Sequence, residues 1–173
     1  MPKIINHKEK KKQIIQYAFD SIVEKGVKGS TVRQIAKLAD MTPGQIRYYF
    51  PNHSELLNAV MSTVELKVRR RIEAIFKSEN LTTIDKAKAS LLTVLPLDKE
   101  RLADMEVWMA FRNDIHEYGQ STLDDGLDQL CNSILTLLKN DHLLKNNVNI
   151  HLNSMKLHAV SYTHLTLPTI YSV

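Results

Sequence analysis

The sequence predicts an all-α protein, with an N-terminal three-helix domain that holds a helix-turn-helix and a helical C-terminal domain. Three observations lead there. Apolar residues recur at helical spacing through most of the chain. Only five Gly and five Pro occur in 173 residues, and no strand-like alternation precedes residue 161. The stretch 31–57, TVRQIAKLADMTPGQIRYYFPNHSELL, reads as two short helices around a tight turn, followed by the capped start of a longer one.

The first helix is expected from about Lys8 to Glu24, with Ile14, Ile15, Ala18, Phe19, Ile22 and Val23 on its apolar side and Gly26 and Gly29 ending it. Thr31 opens the second, with Gln34 placed for a capping box and Val32, Ile35, Ala36 and Ala39 facing inward. The turn is Ala39-Asp40-Met41-Thr42, where Asp40 tolerates a left-handed backbone. Thr42 is an N-cap, Pro43 takes the first helical position and Gln45 completes a second capping box. Ile46, Tyr49 and Phe50 fall on the inner side, and Pro51 stops the helix.

Asn52 with Glu55 caps a long helix from about His53 to Phe76. Further helices are expected from about Thr83 to Leu95, Asp98 to Tyr118, Ser121 to Asn140 and Asn147 to Val160. The last segment, SYTHLTLPTIYSV, has near alternation, a central Pro168 and no charge. It is read as a tail that does not continue the preceding helix: a disordered end, a short extended arm or a non-native sequence. The expected domains are a head over 1–53, a helical body over 54–160 and a tail over 161–173.

Charge is unevenly spread. Residues 1–53 hold ten Lys/Arg against four Asp/Glu, and residues 54–173 hold thirteen against fifteen, so a +6 head precedes a −2 body. Such a head fits a polyanionic partner. One cysteine, Cys131, excludes an intramolecular disulfide framework and points to a reducing compartment. No apolar run approaches the roughly 18 residues needed to span a membrane, so a cytoplasmic protein without membrane contact is expected.

The second short helix carries the chemistry. Arg47 suits guanine O6 and N7, and Gln45 suits adenine N6 and N7. Thr42, Tyr48 and the backbone N–H groups of the helix N-termini suit phosphates. Arg33 and Lys37 lie on the outer side of the preceding helix, within reach of backbone or an adjacent base edge. Pro43, Gly44 and Tyr49 complete the candidate set. No Gly-rich phosphate loop, HExxH, nucleophile elbow or CxxC is present, so no enzyme, cofactor or metal site is expected. His142, His151 and His158 are scattered and are given surface or interface roles.

MTPGQIRYYFPNHSELL resembles the signature of TetR-type transcriptional repressors, and TVRQIAKLAD resembles the helix before it. The resemblance covers about residues 8–60. It extends more weakly through LPLDKERLADMEVWMAFRNDI to the branch that includes the betaine-operon (BetI-like) repressors. It implies that Thr42 and Tyr48 contact phosphate. It also implies that Gly44, Gln45 and Arg47 lie against base edges, with Arg33 assisting. His53 stands where the family usually has a phosphate-binding lysine, and Asp40 replaces a common glycine.

The resemblance further implies a homodimer on a palindromic double-stranded operator, released by a small-molecule effector. The helices that pair in such dimers carry here Leu123, Leu127, Leu130, Ile134, Leu137 and Leu138, then Val148, Leu152, Met155 and Leu157; intrachain core is the competing reading. The candidate effector lining is Met61, Val64, Met105, Trp108, Met109, Phe111, Arg112 and Tyr118. Trp108 and Tyr118, with Asp104 or Glu106, offer a cation–π site for a quaternary ammonium; a simple core is the competing reading. Two alternatives stay open: a ligand-independent regulator or activator, and a helical module binding an acidic protein.

Overall fold

Eight helices account for the secondary structure of the described residues in the computed structural model: α1 (His7–Gly29), α2 (Val32–Leu38), α3 (Pro43–Tyr49), α4 (His53–Lys77), α5 (Thr83–Val94), α6 (Lys99–Tyr118), α7 (Leu123–Asn140) and α8 (Ile150–Ile170). The structure describes the backbone of residues 7–118 and 123–170, and the side chains among these outside 112–125 and 164–170. No strand occurs among the described residues. The chain divides into two units, Met1–Val64 with Glu106–Gly119, and Glu65–Met105 with Gln120–Val173.

In the first unit, Ile14, Ala18 and Ile22 of α1, Ile35 and Ala36 of α2, Ile46 of α3 and Leu56, Leu57 and Val60 of α4 are all at most 2 % exposed. Their burial stabilises the unit by roughly 1.5–3 kcal/mol for each large side chain. The spacing of these residues fixes which face of each helix turns inward, and so which face of α3 is left outside. Gly26 breaks α1 with φ 69°, a backbone conformation that favours glycine. Ser30, fully buried, stitches the break: its Oγ donates to the Gly26 carbonyl at 2.8 Å and its N–H to Val27 at 3.1 Å.

The turn between α2 and α3 is a Schellman motif. Met41 N–H bonds the Ala36 carbonyl at 2.9 Å, Asp40 N–H bonds Lys37 at 3.4 Å, and Asp40 has the left-handed φ of 51°. The same motif ends α7, with His142 at φ 56°, Leu143 N–H on Leu138 at 2.9 Å and His142 N–H on Lys139 at 3.0 Å.

In the second unit, α7 presents Leu127, Leu130, Cys131, Ile134 and Leu135 to the interior, packing against α5 and α8. Leu127, Leu130 and Ile134 are thus intrachain core, whereas Leu152, Met155 and Val160 of α8 stand 49–56 % exposed. Leu123 lies outside the described side chains. Lys86 of α5 donates to the Phe76 carbonyl at 3.0 Å, closing the C-terminal end of α4 where a cation is favoured. Thr83 donates to the Asp141 carboxylate.

One sequence expectation fails. The chain does continue as helix beyond Val160, to Ile170. Extending a formed helix costs far less than nucleating one, so Thr-rich alternation over a few residues does not stop it. Thr163 Oγ1 donates to the Ala159 carbonyl at 2.9 Å, and the rings of His158 and Tyr162 stack at 6.4 Å across one turn. Pro168 removes one backbone donor only two residues before the helix ends. At the other end α8 starts at Ile150 rather than at Asn147, because Asn149 is its cap: its Oδ1 accepts Leu152 N–H at 3.0 Å.

Candidate nucleic-acid interface

The sequence of α3 sets both its start and its orientation. Thr42 Oγ1 accepts Gln45 N–H at 3.2 Å, and Gln45 Oε1 accepts Thr42 N–H at 2.8 Å. This is a complete capping box. At Thr31 the first half forms, with its Oγ1 accepting Gln34 N–H at 3.2 Å. Ile46 and Phe50, 1 % and 6 % exposed, anchor α3 in the core. Gly44, Gln45, Arg47 and Tyr48 are left exposed along the opposite face.

Arg33 and Lys37 of α2 are also exposed, as are Thr42 and Asp40 beside the turn. Pro43, Tyr49 and His53 are half-buried. The exposed residues of α2, the turn and α3 therefore carry two guanidinium groups, an ammonium, an amide, a hydroxyl, a phenol and one carboxylate, all on elements seated in one core. Donors of this kind, on helices fixed by the core, can engage phosphate oxygens and base edges.

Two of these side chains are already committed within the chain. Gln45 holds Thr42 through Oε1, so its Nε2 amide is the group left to donate. Bidentate contact with adenine would use the second lone pair of Oε1. His53 Nε2 lies 2.6 Å from the Ser30 carbonyl, which can only accept, so this nitrogen carries the proton. The neutral ring then presents Nδ1 as an acceptor, and only the imidazolium has a second N–H for a phosphate.

Two contacts were not anticipated from the sequence. Lys11 Nζ sits 5.5 Å from the centroid of the Phe50 ring, and His7, one turn earlier on α1, packs on Tyr48 and Tyr49. An i, i+4 pair of cationic or titratable residues opposite three successive aromatics is the signal in the sequence that finds them.

The chain is similar over 166 residues to the HTH-type transcriptional regulator PksA of Bacillus subtilis, with 32 % identity, spanning 92 % of this chain and 78 % of that protein. Residues 14–60 match the model of the bacterial regulatory proteins, tetR family. The chain belongs to the TetR family. It is accordingly a DNA-binding transcriptional regulator rather than an enzyme, and α2–turn–α3 is the helix-turn-helix of its TetR-type head.

Similarity to the BetI regulator of Klebsiella pneumoniae is weaker, with 28 % identity over 115 residues that span 64 % of this chain and 57 % of BetI. The fold is shared with a solved transcriptional regulator from Rhodococcus, with a TM-score of 0.77 at 18 % identity over 94 % of this chain and 84 % of that one. No helix of the described residues is long and apolar enough to cross a membrane.

Of the candidate effector lining, Met61, Val64 and Met105 are 4–6 % exposed, and Trp108, Met109 and Phe111 are half-buried. Met105 belongs to the second unit and the other five to the first. Arg112 and Tyr118 lie outside the described side chains. Asp104 is not available as the anionic partner of a bound cation. Both of its oxygens are taken, by Lys67 at 3.4 Å and Arg71 at 3.1 Å.

Proposed function

We propose that this TetR-family chain is a ligand-responsive homodimeric repressor. It reads a palindromic operator through α3 and lets go when an effector binds in its helical body. Residues 1–53 act as the DNA-binding domain and the helices from residue 54 onward as the regulatory and dimerisation part.

The observation that carries the DNA reading is the division of α3 into two faces: Ile46 and Phe50 buried, and Gln45, Arg47 and Tyr48 exposed. Arg47 and the Gln45 amide address base edges. Thr42, Tyr48 and His53 address phosphates, with Arg33 assisting from α2 and Pro43, Gly44 and Tyr49 shaping the approach. The dimer reading is supported by Leu152, Met155 and Val160, which leave an apolar stripe of α8 exposed. The effector reading is supported by the buried or half-buried Met61, Val64, Trp108, Met109 and Phe111, adaptable and aromatic side chains of the kind that line small-molecule sites.

Selection of bound duplexes from a random pool supplies the operator. Binding to it is expected to fall steeply with salt and to be lost in Arg47→Ala and Tyr48→Ala. Retention of specific binding by both variants would overturn the assignment. An effector at about 100 times its Kd stabilises the protein by about 2.7 kcal/mol and releases the duplex; a ligand that does the first without the second is not the effector.

A further inference from the structure

The most exposed aromatic side chain of α3 is not left to itself. Tyr48 is 70 % exposed, yet two rings hold it. Tyr49 meets it edge-on at 5.1 Å and 87°. His7, the first residue of α1, meets it at 5.7 Å and 48° and meets Tyr49 at 5.6 Å and 52°. These centroid distances lie within the range of favourable ring pairs. One turn further along α1, Lys11 sits over Phe50. The start of α1 is thereby applied to the C-terminal end of α3, through contacts of sequence separation too large for any local helix rule.

We infer that His7 is a positioning residue for the DNA contact of Tyr48, an inference that rests on the DNA-binding reading above. An exposed tyrosine otherwise samples several rotamers, and fixing one on binding weakens the complex. The His7 ring removes that freedom beforehand. With Tyr49 it gives the Tyr48 ring two neighbours instead of one, so the phenol oxygen meets the phosphate already oriented. The imidazole acts through its ring face, not its charge.

Three variants test this, read by operator affinity and by tyrosine ring resonances, with thermal unfolding as the control. His7→Ala is expected to weaken operator binding about three- to tenfold, the range for one side chain ordered in advance. His7→Phe, which keeps a ring and removes both nitrogens, restores affinity to within about twofold of the parent. In a Tyr48→Phe background, which keeps the ring and lacks the phenol oxygen that His7 orients, His7→Ala costs nothing further. The melting temperature moves by no more than a few degrees in His7→Ala, since the residue is exposed and loses only ring contacts.

A His7→Phe protein as weak as His7→Ala, or losses that add in the double variant, overturns the inference. The second readout needs no DNA. Ring resonances of Tyr48 and Tyr49 in the 13C-labelled protein are expected to move in His7→Ala, and unmoved resonances overturn the brace. A parent chain that selects no duplex, with ring resonances that do move, would sink the repressor reading and leave the His7–Tyr48 brace standing.

Discussion

Asp104, 4 % exposed on α6, is held from α4 by Arg71 at 3.1 Å and Lys67 at 3.4 Å. Arg71 also reaches Glu100 at 2.7 Å, one turn earlier on α6. The two carboxylates differ in what surrounds them: the Glu100 side chain is 63 % exposed and that of Asp104 5 %. Removing one member of a buried ion pair strands its partner, a loss of about 3–5 kcal/mol when both are fully buried. Here the cations keep about a third of their surface and rehydrate in part. Asp104→Asn is therefore expected to lower stability by about 2–3 kcal/mol, and Glu100→Gln by less than about 1 kcal/mol. Urea unfolding followed by helical circular dichroism measures both, and equal losses would show that burial is not what sets them.

That cluster marks a limit on what the sequence made legible. Lys67 and Arg71 are four apart, and so are Glu100 and Asp104, so two complementary charged stripes stood in plain sight. Nothing local pairs them, because the contacts join residues 29 to 37 positions apart. The head reads better, for the opposite reason. The Thr42–Gln45 box, the left-handed Asp40 and the burial of Ile46 and Phe50 all follow from residues within one or two turns of each other. His7 escaped notice because its i, i+4 pairing with Lys11 points to Tyr48, Tyr49 and Phe50 only once α1 and α3 are known to meet. The extension of α8 escaped because the β-branched and proline residues of 161–170 argue for a break, while the helix already running through Val160 argues against one.

The capping box separates the folding role of Gln45 from its recognition role. Its Oε1 accepts Thr42 N–H at 2.8 Å, and only its amide nitrogen remains to donate to DNA. Gln45→Glu keeps the acceptor, and a carboxylate suits a helix N-terminus, so thermal stability is expected to hold or rise slightly. The donor is lost and a negative charge faces the operator, so affinity is expected to drop at least tenfold, as for one good base contact of about 1–3 kcal/mol. Thr42→Ala breaks the other half of the box and is expected to lower stability by about 1 kcal/mol. Melting curves and fluorescence anisotropy on the same samples check the pair. A Gln45→Glu protein that binds like the parent would remove Gln45 from the interface.

Cys131 is fully buried on α7, and burial, reinforced by the negative charge of Asp128, pushes its thiol up to about 11 from 9.0. The folded state thus holds its proton more tightly than the unfolded chain does. Its contribution to stability is whole below the ordinary thiol value and is lost as pH rises between about 9 and 11. Below that window the native thiol is both neutral and inaccessible. Iodoacetamide is expected to modify it no faster than the protein opens, and in urea at the rate of an ordinary thiol. Cys131→Ser is expected to flatten the alkaline decline. An unchanged decline would place its cause elsewhere.

Asp40 puts a carboxylate at the one position of the turn with a left-handed φ, 51°, two residues before the N-cap Thr42. The geometry restricts what can replace it. Asparagine adopts the same conformation readily, whereas a β-branched residue there is strained by about 1–2 kcal/mol. Asp40→Asn is therefore expected to leave stability within about 0.5 kcal/mol of the parent, and Asp40→Val to lower the melting temperature clearly. The charge has a separate effect. An exposed carboxylate beside a phosphate contact repels the duplex, and that repulsion is screened over roughly 10 Å at 0.1 M salt. Asp40→Asn is expected to tighten operator binding about threefold near 50 mM salt, with the gain shrinking as salt rises. A gain that persists undiminished at high salt would mean that the substitution acts through the shape of the turn and not through its charge.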